Sequence, residues 1–201
     1  MEWALSRLPP PITRKSAEAG VPPRPAVESL AFEAAILPHL DAAYTLARYL
    51  TRRADIAEDI VQEAMLRAYR RFETSRGENP RAWLLAIVRN CFLTWKTCED
   101  QKPERRQGGN GDVEDAAFET PDHATPESIL LDLEQAQAVR AVIESLPDVF
   151  REVLVLRDIE DLSYRDIASI IGAPIGTVMS RLARARKLFA AAWQPSKESK
   201  P

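Results

Sequence analysis

Apolar residues recur at helical spacing in two blocks of this 201-residue chain. The stretch between them, Gln107–Pro126, holds Gly, Asp and Pro without any apolar period. No alternating run is long enough for a convincing strand. The pattern predicts an all-α chain of two small helical domains joined by an acidic flexible linker. The expected division is a disordered arm at 1–27, where six prolines fall, a helical domain at 28–100, the linker at 101–126 and a second helical domain at 127–193.

The first block reads as three helices. One covers about Leu30–Leu50, with Leu40, Ala43, Tyr44, Ala47 and Leu50 on its apolar side and Pro38 in a first turn or at a break. Asp55, with Glu58 three residues on, is a candidate capping box for the next, whose apolar stripe is Ile56, Ile60, Val61, Ala64, Met65, Ala68 and Tyr69. Gly77 and Pro80 break that helix. A third runs from about Pro80 to Thr97, with Trp83, Leu84, Ile87, Val88 and Cys91 inward. In the second block, Leu146-Pro147-Asp148, Asp161-Leu162-Ser163 and Ile171-Gly172-Ala173-Pro174 mark boundaries.

Composition narrows the function class. Hydrophobic residues make up 45% and charged residues 28% of the chain, the proportions of a soluble globular protein. No apolar run approaches the ~18 residues of a membrane span, so no membrane insertion is expected. The opening MEWALSRLPPP has no continuous apolar stretch of a secretory signal, which leaves the cytoplasm as the expected compartment. On one helix Cys91 and Cys98 would stand roughly 10 Å apart, too far for a disulfide. Neither His39 nor His123 is spaced to join them at a metal. No nucleophile–base pair and no phosphate-cradling glycine loop is visible, so catalytic residues, metal and cofactor are all expected to be absent.

The net charge of −3 hides a segregation. From Gln107 to Val139 there are eight acidic residues and no Lys or Arg, whereas Gly176–Ala190 holds four basic residues and no acid. That basic segment lies in LSYRDIASIIGAPIGTVMSRLARARKLF (Leu162–Phe189), which has the design of a helix-turn-helix. Ser163 caps a first helix through Asp166, Gly172 supplies the turn, and Pro174 sets the start of a second helix. Val178, Leu182, Ala185 and Phe189 can point inward there. Thr177, Ser180, Arg181 and Arg184 share another face, suited to a major groove, and Arg186 and Lys187 suit flanking phosphates. A solvated basic helix in an ordinary bundle is the plainer alternative.

EVLVLRDIEDLSYRDIASIIGAPIGTVMSRLARARKLF resembles region 4 of extracytoplasmic-function (ECF) sigma factors, group IV of the bacterial sigma superfamily. The blocks ADIAEDIVQEAMLRAYRRFE (Ala54–Glu73) and WLLAIVRNCFLTWK (Trp83–Lys96) resemble region 2. The resemblance implies a transcription initiation factor with a stress-response role. Its partners would be core RNA polymerase, through the β′ clamp helices and the β subunit, promoter DNA and an anti-sigma factor. It places Thr177, Ser180, Arg181, Arg184, Arg186 and Lys187 at the −35 element. Met179 stands where the family often has Lys. It places Asp59, Gln62 and Glu63, which share one helix face, at the polymerase. Arg89, Asn90 and Lys96, with the loop residues Gly77, Glu78 and Asn79, fall to the melted −10 element.

Each assignment has a plainer counterpart. Asp59, Gln62 and Glu63 also fit a solvated face offset by Arg67 and Arg70. Trp83 fits the core, and the acidic linker is either a mimic of nucleic acid in polymerase channels or a solvated tether. A stand-alone helix-turn-helix regulator explains the second block but not the first.

Overall fold

The computed structural model describes residues 26–72, 79–101 and 126–193. Residues 1–25 of the expected arm, the loop residues Gly77 and Glu78, and almost all of the linker lie outside these, whereas Ala26 and Val27, expected in the arm, open a helix. Helix α1 (Ala26–Ile36) ends at a 3₁₀ turn, Leu37–His39, and α2 (Leu40–Thr51) follows. The stretch expected as one helix is thus two, because Pro38 lacks the N–H that an uninterrupted helix would need. Helix α2 stops at Arg52, in the left-handed conformation at φ 62°, whose N–H returns to the Arg48 carbonyl.

Helix α3 (Ala54–Arg71) starts one residue before the expected cap. Arg53 is the N-cap residue and makes no side-chain capping bond. Asp55 lies in the first turn instead and accepts from Arg53 Nε at 3.1 Å. A carboxylate there still favours the positive end of the helix, so it helps through charge rather than as a cap. Helix α4 (Pro80–Asp100) is capped by Asn79, whose Oδ1 accepts from Ala82 N–H at 3.1 Å.

Helices α2, α3 and α4 pack on one another. Alanines 57, 64 and 68 on α3 are buried, letting Leu46, Leu84, Leu85 and Val88 approach closely. Cys91 is buried and Cys98 exposed, and both are free thiols.

The second bundle holds α5 (Pro126–Ser145), α6 (Asp148–Leu154), α7 (Tyr164–Ile171) and α8 (Ile175–Ala192). A five-residue π turn, Val155–Ile159, continues α6. The predicted corner forms as expected. Ser163 Oγ accepts from Asp166 N–H at 3.1 Å, Gly172 sits at φ 64°, and Pro174 is the N-cap residue of α8. Ile167, Ile170 and Ile171 of α7 are buried with Val178, Leu182 and Ala185 of α8. These side chains fix the angle between the two helices.

Helical periodicity within each block carries no information on how the two bundles meet. In the structure they pack together, α4 against α7 and α2 against α5 and α6. Among the described residues no helix is long and apolar enough to cross a membrane.

A Cβ added at Gly172 would meet no heavy atom within 4 Å, so only the left-handed backbone opposes a side chain. Gly172→Ala should cost about 1–2 kcal/mol, and Gly172→Asn distinctly less. Urea denaturation checks this through a lower midpoint at unchanged slope.

Candidate nucleic-acid interface

The recognition face predicted on α8 is open. Ser180, Arg184, Arg186 and Lys187 are exposed, and Thr177 and Arg181 are half-buried. Inward burial of Val178, Leu182 and Ala185 dictates this, because residues three and four apart share a face and leave the intervening ones outside. Ser180 Oγ donates to the Thr177 carbonyl at 3.0 Å. Arg186 is held differently. Its guanidinium makes paired hydrogen bonds to Asp158 of the π turn, Nε to Oδ2 at 3.1 Å, and this carboxylate raises its pKa above the usual arginine value. Arg181, Arg184 and Lys187 have no carboxylate partner among the described residues. Met179 is 53% exposed and Ile175 46%, so the first turn of α8 presents apolar side chains beside the cations.

The cations of α4 are not open. Arg89 Nε pairs with Glu152, Lys96 with Asp148, and Arg81 with Glu160. Arg81, Arg89 and Lys96 lie eight and seven residues apart, which keeps them on one side of the helix. Two pairs from α2 extend the seam, Arg48 to Glu144 at 3.2 Å and Arg52 to Asp148 at 3.6 Å. Asp148 also meets Arg151, whose side chain is fully buried. Burial alone would raise the Asp148 pKa. The Lys96 hydrogen bond and the charges of Arg151 and Arg52 outweigh it and hold the carboxyl below its usual range. Burial lowers the Arg151 pKa, and its Nε has no hydrogen-bond partner.

Asn90 is half-buried and its carbonyl accepts from Thr94 Oγ1 at 2.8 Å. Trp83 is half-buried against the core. Asn79 serves as the cap of α4, and Gly77 and Glu78 lie outside the described residues.

On the far side of the first bundle, Asp59 and Gln62 are exposed on α3, whereas Glu63 is half-buried and accepts from Arg67 Nε at 2.7 Å. Beside them lies an open groove of about 840 Å³ that the sequence reading missed. Leu40, Tyr44, Val61, Met65 and Leu66 form its apolar walls, with Asp41, Glu58 and Gln62 among its polar lining. Its signal was present in the sequence as apolar Leu66 and Met65 next to the acidic face, but only the folded position of α1 and α2 makes a groove of them. Among the described residues no cluster of His, Cys, Asp and Glu has a metal-holding arrangement.

Comparison with known proteins bears on both bundles. Residues 35–101 match the family model of Sigma-70 region 2, and residues 136–189 that of Sigma-70 region 4. The chain is 37% identical over 153 residues to the ECF RNA polymerase sigma-E factor of Haemophilus influenzae, covering 75% of this chain and 80% of that one. It is 35% identical over 173 residues to the RNA polymerase sigma-H factor of Pseudomonas aeruginosa, covering 82% and 87%. Among solved structures, it resembles the sigma factor RpoE in complex with the anti-sigma factor NepR from Bartonella quintana, with a TM-score of 0.64 and 27% identity over 81% of this chain and 96% of that one. The fold of CnrH, solved with the cytosolic domain of CnrY, is also similar, at a TM-score of 0.54 and 24% identity over 81% and 87%. Region 2 and region 4 in this order, together with these relatives, place the protein in the family of ECF RNA polymerase sigma factors.

Proposed function

We propose that this sigma factor binds core RNA polymerase through α3, reads the −35 element with α8 and holds the melted −10 strand on α4, contributing no chemistry of its own. The observation that carries this reading is the α8 face on which Ser180 and Arg184 are exposed and Thr177 and Arg181 half-buried, on a helix fixed by its buried side. Arginine reads guanine edges bidentately in the major groove, and Ser or Thr serves either base or phosphate. Unpaired N–H groups at the α8 N-terminus add a phosphate site. Arg186 and Lys187 flank the backbone, and Arg186 must first leave Asp158.

Polymerase docking joins Asp59 and Gln62 to the neighbouring apolar groove. Such a surface has what a helical partner requires, an apolar centre with charged groups at its edge. The partner in this reading is the β′ clamp helices, with the β subunit meeting the second bundle. Arg89, Asn90 and Lys96, with half-buried Trp95 on the same helix, provide phosphate neutralisation and a surface for base stacking. Gly77, Glu78 and Asn79 precede them and belong to the same strand-capturing region. Because the similar sigma factor RpoE was solved in complex with the anti-sigma factor NepR, control by an anti-sigma factor completes the proposal. The place of action is the cytoplasm.

Run-off transcription with purified core polymerase on templates of randomised promoter sequence tests the reading. Initiation at a recurrent pair of elements supports it. Absence of initiation, with strong binding of duplex DNA by the chain alone, would instead indicate a stand-alone regulator. In the same assay Arg181→Ala should lower discrimination at the −35 element by roughly tenfold with unchanged core affinity. Asp59→Arg should do the reverse, weakening core capture in a pull-down while sparing duplex recognition.

A further inference from the structure

The groove beside Asp59 has a composition that favours one kind of occupant. Phe32, Tyr44 and Tyr69 bring aromatic rings to it, Phe32 and Tyr69 edge to face at 5.2 Å. Asp41 and Glu58 add two exposed carboxylates, and among the described residues no Lys or Arg lines it. Leu40 is 37% and Leu66 45% exposed, so the described residues leave apolar surface here uncovered. Aromatic walls with acids at the rim suit a proline-rich segment that carries a cation. Proline rings pack on aromatic faces, their fixed φ leaves little freedom to lose, and the cation meets a carboxylate.

The chain carries such a segment in the arm, outside the described residues. Arg7-Leu8-Pro9-Pro10-Pro11 sets a cation and a leucine before three consecutive prolines. From Arg7 to Lys15 there are three basic residues and no acid, opposite in sign to the groove. The reach is sufficient. Residues 12–25 can span roughly 50 Å at about 3.5 Å each. They meet α1 at Ala26, six residues before Phe32 in the groove wall and so about 9 Å away along the helix. A tether of this length sets a local concentration of the order of millimolar, so a contact too weak to join separate molecules forms within one.

We infer that Arg7–Pro11 docks in the groove between α2 and α3, its prolines against Tyr44 and Tyr69 and Arg7 beside Asp41 and Glu58. The arm thereby covers part of the face offered to polymerase. Docking itself stands apart from what α3 binds, whereas the competition with polymerase rests on the proposed reading of α3. Exposed ion pairs contribute little. Ring and apolar contacts therefore hold the segment, and the charges orient it. Occupancy by the arm lowers the apparent affinity of any competitor by the fraction of grooves left empty.

Photo-cross-linking of the full-length chain tests this. Benzoylphenylalanine in place of Leu8 inserts into a C–H bond that it touches, and peptide mass spectrometry should map the new bond to the peptide holding Met65 and Leu66. Asp41→Lys combined with Glu58→Lys should lower the yield about fivefold, as two exposed attractions become repulsions. Adding Arg7→Glu should recover part of it, with circular dichroism confirming each fold. Bonds scattered over the surface, or a bond joining two chains, would overturn the docking and leave the α3 reading untouched. A yield insensitive to charge reversal would overturn the placement of Arg7. Replacing Pro9, Pro10 and Pro11 together by Ala should tighten core-polymerase capture about twofold, the gain from emptying a half-filled groove. Unchanged capture, with the bond still mapped to the groove in the parent chain, would overturn the competition while the docking stands.

Discussion

One carboxylate organises the contact between the two halves of this molecule. Asp148, in the first turn of α6, is the common partner of Lys96 on α4, Arg52 at the end of α2 and Arg151 on its own helix. Three cations around one acid make a site that is stable only while the acid is ionised, and its depressed pKa follows from that surplus. The fully buried Arg151, with Nε unpartnered, is tolerable because Asp148 and the Glu144 carbonyl accept from its two terminal nitrogens. A site so dependent on matched charge holds geometry well and yields readily to a competing anion.

The two proposed nucleic-acid faces consequently differ in readiness. On α8, Arg181, Arg184 and Lys187 stand ready, and only Arg186 is tied, to Asp158. On α4 the cations are engaged with the second bundle. In the proposed reading α8 needs no rearrangement to meet its groove, whereas α4 must exchange carboxylates for phosphates. This asymmetry suits a factor that should select a promoter before it keeps DNA open, since a permanently free cationic α4 would bind any single strand electrostatically.

What was legible in the sequence was local. The helix-turn-helix corner follows from Ser163, Gly172 and Pro174 because cap, left-handed turn and fixed φ each act within a few residues. The buried stripes of α3, α4 and α8 were legible through their 3.6-residue period. Asp55 is a first-turn residue and not the cap; an acid in a first turn and an acid at a cap look alike when the helix start is uncertain by two residues. The π turn left no signal in composition. The seam was illegible for a different reason, since its hydrogen-bonded pairs join residues 52 to 96 positions apart. No local rule links Arg48 to Glu144. The α4 cations that sequence proposes as DNA contacts are, in the folded chain, paired with carboxylates of the second bundle.

The distance between the bundles is the quantity on which this account turns. Cys98 is exposed, whereas burial pushes the Cys91 thiol up to about 11, so a thiol-reactive spin label added at neutral pH goes to Cys98. A second label on Ala183→Cys, exposed on α8, completes a pair across the seam. Double electron–electron resonance should give one short distance for the free protein and a clearly longer one with core polymerase and fork-junction promoter DNA. A distance unchanged in that complex would mean the two bundles work as a single closed body, and exchange of carboxylates for phosphates would be excluded.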